Sequence, residues 1–411
     1  MRIYGIEMHA GREAATLSAS VLPDGEARPR RLWFRFAGYK GAISGSADPF
    51  VTAMLPFCMA EGEELRVDGS ISPTLRSNLG HAQLVLSGWY DFLHPVPVEA
   101  TSDAETASGS GSVGVACCFS GGVDSWYSLL SHAHRVTHLF LVRGFDGGIG
   151  NRALWSSMLA TAEAVARWTE RPLITCETNL RLVADKDRAE SGAPHEGDFW
   201  GKCLHGAALA AAAQALGGDF GELVIPSTFH SGDLKPWGSS PELDRYWSNG
   251  AVRIVHDSCE VDWVEKVGRV AGSQLALDTL RVCYHDCEQT NCGRCEKCLR
   301  TMMALRLHGA LDRASTFPGE EVLARACRIE PPKDPSDYEM LLHAARRTGD
   351  ADVARLCEVI LGRRFSAERS LALLVRRLRR GGATPATANR QDDAAPRDVS
   401  LQHKSPIGLA S

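Results

Sequence analysis

From Val113 onward, short apolar runs alternate with longer stretches in which apolar residues recur at helical spacing. The runs Gly114–Phe119, His138–Val142, Leu173–Glu177, Glu222–Pro226 and Arg253–Asp257 are five or six residues long. That length suits buried strands and is too short for helices. Between and after them, Val123–Ala133, Leu154–Thr169, Trp200–Leu216 and Val261–Ala271 have the spacing of helices. Apolar strands separated by helices predict an α/β domain with a doubly wound parallel sheet covered on both faces. Sheets of this kind bind ligands beyond the carboxyl ends of their strands.

The pattern before Val113 differs. Alternation at Arg2–Met8, Ala15–Val21 and Arg31–Phe36 predicts three strands, and Asp48–Met59 and Thr74–Trp89 read as helices. Residues 1–96 are therefore expected to form a small α+β domain. Residues 97–112, rich in Ser, Gly, Thr, Ala and acidic side chains, read as a linker. Residues 113–312 make up the main domain, and 313–380 a helical extension whose end, Ser370–Arg380, is basic and amphipathic. Residues 381–411 have the composition of a disordered tail.

Composition narrows the setting. The chain has 411 residues, enough for two or three cores, and 44% hydrophobic and 23% charged residues suit a globular protein. A formal net charge of −5 gives no broad electrostatic grip on nucleic acid, which is not the expected partner. Met1–His9 is too short for a signal peptide and is interrupted by Glu7; Ala207–Leu216 is too short to span a bilayer and contains Gln214. A cytoplasmic protein with no membrane partner is expected, acting on a small-molecule substrate, with a homodimer as the assembly left open. Five of the 13 cysteines crowd into Cys283–Cys298, which in a reducing compartment points to metal rather than disulfides.

The sharpest local signal is Ala116-Cys-Cys-Phe-Ser-Gly-Gly-Val-Asp-Ser-Trp-Tyr-Ser-Leu-Leu130. An apolar strand runs into Ser120-Gly121-Gly122, and a helix begins at once. Glycines allow a tight turn and a close approach of backbone to ligand, and the helix N-terminus offers unpaired N–H groups to an anion. The hydroxyls of Ser120 and Ser125 can add hydrogen bonds to phosphate oxygens. Asp124, a carboxylate beside an anion site, suits holding Mg²⁺ or capping the loop. This is not a Walker A loop: the nearest look-alike, Gly197-Asp-Phe-Trp-Gly201-Lys202, is one residue short. The alternative is a purely structural glycine turn.

Ser-Gly-Gly-x-Asp-Ser after the first strand of such a sheet resembles the PP-loop ATP pyrophosphatase superfamily. The resemblance implies ATP with Mg²⁺, held at its phosphates by Ser120, Gly121, Gly122, Val123, Asp124 and Ser125, with Asp124 and Ser125 as the catalytic contacts. It places adenine against the end of the second strand, at Leu141, Val142 and Arg143. It implies cleavage between the α- and β-phosphates, giving a substrate adenylate and pyrophosphate.

The second motif contains Cys283, Cys287, Cys292, Cys295 and Cys298. Two-residue gaps bring the last three sulfurs to one point, Gly293 eases the turn, and Arg294 and Lys297 offset thiolate charge. Four thiolates make a closed tetrahedral Zn²⁺ site; an iron–sulfur cluster and a set of reduced core thiols are the rivals. The spacing Cys283-x8-Cys292-x2-Cys295-x2-Cys298 resembles the zinc site of the 7-cyano-7-deazaguanine synthases, themselves PP-loop enzymes. That match makes Cys283 the fourth ligand and Cys287 spare, with His285 a weaker candidate. It implies activation of a carboxylate or carbonyl group for attack by ammonia or an amine. The resemblance covers roughly residues 113–312.

Weaker signals surround these two. His205 is either a base facing the site or a packed helix-start residue, and Lys202 reads as solvated. Ser227, His230, Asp233 and Trp237 lie after the fourth strand of the domain, as substrate contacts or as ordinary loop residues. Asp146-Gly-Gly-Ile-Gly150 is a glycine turn near the expected nucleotide, and Arg376–Arg380 a short basic run. Two other functions stay open: ATP-dependent sulfur insertion into a metabolite or RNA, relayed by Cys287 or Cys203, and a non-catalytic nucleotide sensor.

Overall fold

The computed structural model describes residues 1–102, 114–145, 148–184, 199–285, 290–319, 323 and 335–363. Ten strands form one sheet: β1 (Arg2–Ala10), β2 (Ala14–Leu22), β3 (Arg30–Ala37), β4 (Leu65–Ile71), β5 (Val98–Ser102), β6 (Val115–Cys118), β7 (His138–Arg143), β8 (Leu173–Thr178), β9 (Glu222–Pro226) and β10 (Arg253–Asp257). Their spatial order is β10-β9-β6-β7-β8-β3-β2-β1-β4-β5. The run β10-β9-β6-β7-β8 is wholly parallel. The chain moves outward from β6 through β7 to β8, then returns to lay β9 on the other side of β6. The junction of β6 and β9 is thus a topological switch point, where a crevice opens at the carboxyl edge. The α/β class with a Rossmann-like parallel sheet is the architecture observed.

The helices are α1 (Asp48–Glu61), α2 (Pro73–Trp89), α3 (Val123–Ser131), α4 (Arg152–Trp168), α5 (Leu180–Ala184), α6 (His205–Gln214), α7 (Trp263–Ala271), α8 (Gln274–Thr279), α9 (Glu296–Leu307), α10 (Ser336–Thr348) and α11 (351–363). Successive strand residues serve opposite faces. Ala116, Cys118, Phe140 and Val142 pack into a core shared with α1, α2 and α6. Cys117, Phe119, Leu139 and Leu141 pack into a second core with α3, α4, α7 and α9. Every residue of α6 from Gly206 to Gln214 is buried, and most are alanines. A helix apolar on all sides belongs in the interior, and its small side chains let it lie close against α1.

Residues 1–96 do not stand apart as a separate layer. Phe34, Arg35 and Phe36 of β3 pair antiparallel with Thr178, Glu177 and Cys176 of β8, so the N-terminal strands extend the same sheet. Asp48, 1% exposed, accepts hydrogen bonds from Ser72 N and from Asn249 Nδ2 across 201 residues of chain. Met1–Arg363 form one compact unit. The start of the expected linker is β5, which pairs parallel with β4; residues 103–112 lie outside the described residues. β4 alternates, with Leu65, Val67 and Ile71 buried and Arg66 and Asp68 exposed, but Gly69 and Ser70 interrupt its apolar side; β5 is a short polar edge strand. The helix expected over Trp200–Leu216 opens instead with a π-helical turn, Trp200–Leu204, before α6. Of the helical extension, α10 and α11 are described; Arg376–Arg380 and the tail 381–411 lie outside the described residues. Among the described residues no helix is long and apolar enough to cross a membrane.

Candidate functional site

The loop between β6 and α3 stands at the switch point. Gly121 has φ +80°, a left-handed backbone that favours glycine. Gly122 is the N-cap of α3 with an extended backbone, φ −78° and ψ 173°. A side chain at Gly122 would meet only ordinary contacts, at 3.5 Å from Ser120 Oγ and 3.7 Å from Arg281 O. Its lack of a side chain keeps the helix mouth open rather than relieving strain. Among the described residues no side chain caps α3, as none caps α1, α6, α9 or α10, whereas Ser72, Asn151, Asp262 and Ser273 cap α2, α4, α7 and α8. The first N–H groups of α3, at Val123, Asp124 and Ser125, face outward with the positive end of the helix dipole. Ser120 Oγ accepts from Gly122 N at 3.4 Å, and Ser125 Oγ donates to Gly122 O at 3.0 Å.

Two cavities meet at this loop and share Ser120, Asp124, Ser125 and Tyr284. One is basic: Arg281, Lys297 and Arg300 line it opposite the helix mouth, with Trp263 and Met158. The other has a mixed lining, with Phe119, Phe140, Leu141, Val142 and Phe145 on one side, Ile225, Pro226 and Thr228 on the other, and the polar groups of Ser120, Asp124, His205 and Tyr284 among them. His205 lines this second cavity and packs against Trp200, ring centroids 5.4 Å apart. The π-helical turn just before it sets that position, a distortion common at functional sites.

Behind the loop stands a group that sequence reasoning missed. Lys266, on α7, is 2% exposed, and its Nζ donates to Asp124 Oδ1 at 3.2 Å and to Ser227 O at 2.7 Å. Nearby, Asp257 at the end of β10 ties down α3, accepting from Ser128 and Ser258 Oγ at 2.6 Å and pairing with His132 Nε2 at 2.7 Å. Burial opposes ionisation of Asp257, but these three hydrogen bonds outweigh it and hold the carboxyl below its ordinary range.

The Sγ atoms of Cys283, Cys292, Cys295 and Cys298 all lie within 4.8 Å of one another. The Cys283–Cys295 and Cys292–Cys298 separations are 3.9 and 3.8 Å. Tetrahedral thiolates at about 2.3 Å from zinc sit roughly 3.8 Å apart, so the set fits a metal such as zinc. Backbone N–H groups of His285 and Cys295 donate to Cys283 and Cys292 sulfur at 3.4 Å. A hydrogen bond from Cys298 pushes the Cys295 thiol down to about 5, while Cys298 and the buried Cys283 are pushed up. The lowered Cys295, with three further sulfurs within 4.8 Å, makes a donor set suited to a cation. Gly293 has φ +63°, and any side chain there would run into Pro318. Asn291, fully buried, accepts from Val282 N and Cys283 N and donates to Leu280 O and Thr316 Oγ1.

The two motifs adjoin each other. Arg281 N donates to Gly121 O at 2.9 Å, two residues before Cys283 of the cluster. The cysteine knuckle thereby fixes one wall of the loop's cavity: Arg281, Tyr284, Lys297 and Arg300 all come from it or its flanks. Lys297 Nζ lies 3.9 Å above the Tyr284 ring, and Arg300 pairs with Asp337 and lies over Trp263.

The other expected residues divide. Leu141 and Val142 line the second cavity; the Arg143 side chain donates to Glu177 Oε1 and Ile149 O, both at 2.9 Å. Ser227 is buried and its hydroxyl donates to Phe229 O at 2.7 Å, so Thr228 takes the lining position. His230 and Asp233 line a neighbouring crevice, and Trp237 packs edge-on against Phe229. Cys203 is fully buried, and Ser125 is 4% exposed where it lines both cavities. Cys287, Asp146 and Gly147 lie outside the described residues. Lys266, Arg281 and Asn291 carry weak sequence signals; for Lys266 the signal is its place on the apolar stripe of α7, three residues after Trp263 and four before Val270. Comparison with known proteins finds no match: no family model fits the chain, and no curated protein and no solved structure matches it.

Proposed function

We propose that this protein is an ATP-dependent adenylating enzyme of the PP-loop type, with ATP and Mg²⁺ at Ser120–Ser125 and zinc at the four cysteines. The observation that carries the reading is the uncapped mouth of α3, opening at the β6–β9 switch point onto a cavity walled by Arg281, Lys297 and Arg300. Oriented N–H groups, a helix dipole and convergent cations are the features that hold a polyphosphate.

In this reading the N–H groups of Val123, Asp124 and Ser125 bind phosphate oxygens, and Ser120 Oγ adds a donor. The basic wall stabilises charge that grows on the pyrophosphate as the bond from the α-phosphorus to the bridging oxygen breaks. A substrate carboxylate or carbonyl oxygen in the second cavity forms the new bond to the α-phosphorus, and ammonia or an amine then displaces AMP. Asp124 suits a Mg²⁺ contact through its outward oxygen. Rate comes from positioning and charge stabilisation, so no side-chain nucleophile is required. Zinc, when bound, neutralises the four thiolates and braces the knuckle, a structural role suited to a closed site.

The test incubates purified protein with ATP, Mg²⁺ and fractionated cell metabolites and identifies the phosphate products. AMP with pyrophosphate, lost in Asp124→Ala, is the expected outcome, and the active fraction then leads to the substrate. ADP with orthophosphate, lost in the same variant, would overturn cleavage between the α- and β-phosphates.

A further inference from the structure

The buried face of α7 contains Trp263, Val264, Lys266, Val267 and Val270. A lysine in that stripe places a cation away from water, which is costly unless the charge is paired. Its partners belong to the two loops that flank the switch point: Asp124 Oδ1 on the β6 side, at 3.2 Å, and Ser227 O on the β9 side, at 2.7 Å. Among the described residues Asp124 is the one acidic residue lining the basic cavity. Its side chain is 31% exposed, whereas Lys266 stands behind it at 2%. Among the described residues no partner is found for Asp124 Oδ2.

A carboxylate in the first turn of α3 opposes the binding of an anion at that same helix mouth. The opposition falls if a cation sits on the carboxylate from the protein side, out of competition with the ligand. We propose that Lys266 is a positioning residue with this role: it offsets the charge of Asp124, ties the loop after β6 to the turn after β9, and lets the helix mouth accept a pyrophosphate group without a metal ion. The proposal rests on the reading of this loop as a phosphate site. It assigns the two oxygens of Asp124 different duties, Oδ1 toward Lys266 and Oδ2 toward the cleft.

The probe is inorganic pyrophosphate without added Mg²⁺, titrated calorimetrically into the zinc-loaded full chain. Lys266→Met should weaken binding by on the order of tenfold, the scale of one unit charge acting across a partly solvated gap. Asp124→Asn should tighten it by a similar factor. The double variant, with both charges gone, should return to within about threefold of wild type, because the two effects are one interaction. A merely structural lysine predicts the reverse, a double variant that binds no better than Lys266→Met. That result, or a folded Lys266→Met that binds like wild type, overturns the proposal. Should Lys266→Met fail to fold, Asp124→Asn carries the test, and unchanged affinity overturns it. Wild-type protein that binds neither pyrophosphate nor Mg²⁺-ATP overturns the phosphate-site reading and the proposal with it. Binding that the variants leave unaltered overturns the proposal alone.

Discussion

Gly293 offers a test of the knuckle in which geometry sets the magnitude. Gly293→Ala imposes two penalties. The residue has φ +63°, and a left-handed backbone costs an L-residue about 1–2 kcal/mol. The new Cβ would also overlap Cγ of Pro318 and stand 2.9 Å from its Cδ. A proline ring cannot rotate aside, so the backbone must shift, at the ~1–3 kcal/mol typical of overpacking. The sum is about 2–5 kcal/mol. Gly309 is the matched control: its φ is +62°, and no heavy atom lies within 4 Å of a Cβ added there. Gly309→Ala should therefore cost only the backbone penalty, about 1–2 kcal/mol. Equilibrium urea unfolding of both variants measures the difference, and a chromophoric chelator reads how fast each gives up its metal. Gly293→Ala should be the less stable of the two and release metal faster. Equal stability and equal release would refute the argument that Pro318 packs on the turn.

Two further outcomes are expected. Asp257→Asn should destabilise the chain by about 2–3 kcal/mol at neutral pH, since hydrogen bonds to a charged acceptor are the strong ones. Because the folded-state carboxyl is held below its ordinary value of 3.8, the stabilisation is present above that value and is lost as pH falls through the lower, folded one. The gap between wild type and variant should thus close on acidification, and a gap that stays constant down to about pH 3 contradicts the assignment. Cys295→Ser should abolish stoichiometric metal binding, since three thiolates leave the tetrahedral site open. It should also weaken pyrophosphate binding, because Arg281 and Tyr284 flank Cys283; metal loss with unchanged affinity would separate the two sites.

The local features of the site were legible in the sequence because each is written within a few consecutive residues. Ser120-Gly121-Gly122 after an apolar run fixes a turn and a helix start without help from elsewhere. The spacing of Cys292, Cys295 and Cys298 brings three sulfurs together whatever surrounds them. The five parallel strands announced themselves by length and apolarity. Tertiary structure decided the rest. Pairing of β3 with β8 joins residues 1–96 to the main sheet, and hydrogen bonding between distant edges leaves little trace in composition. The partners of Lys266, Asp124 and Ser227, are set only when α7 is laid against α3 and β9. Arg281 and Asn291 look like spacers until the knuckle folds back on the loop. The side chain of Arg143 finds Glu177 and Ile149 only once β7 and β8 lie side by side. Local sequence specifies backbone turns and ligand spacing because those depend on covalent neighbours. The partner of a buried charge depends on which surfaces meet, and only the packed chain decides that.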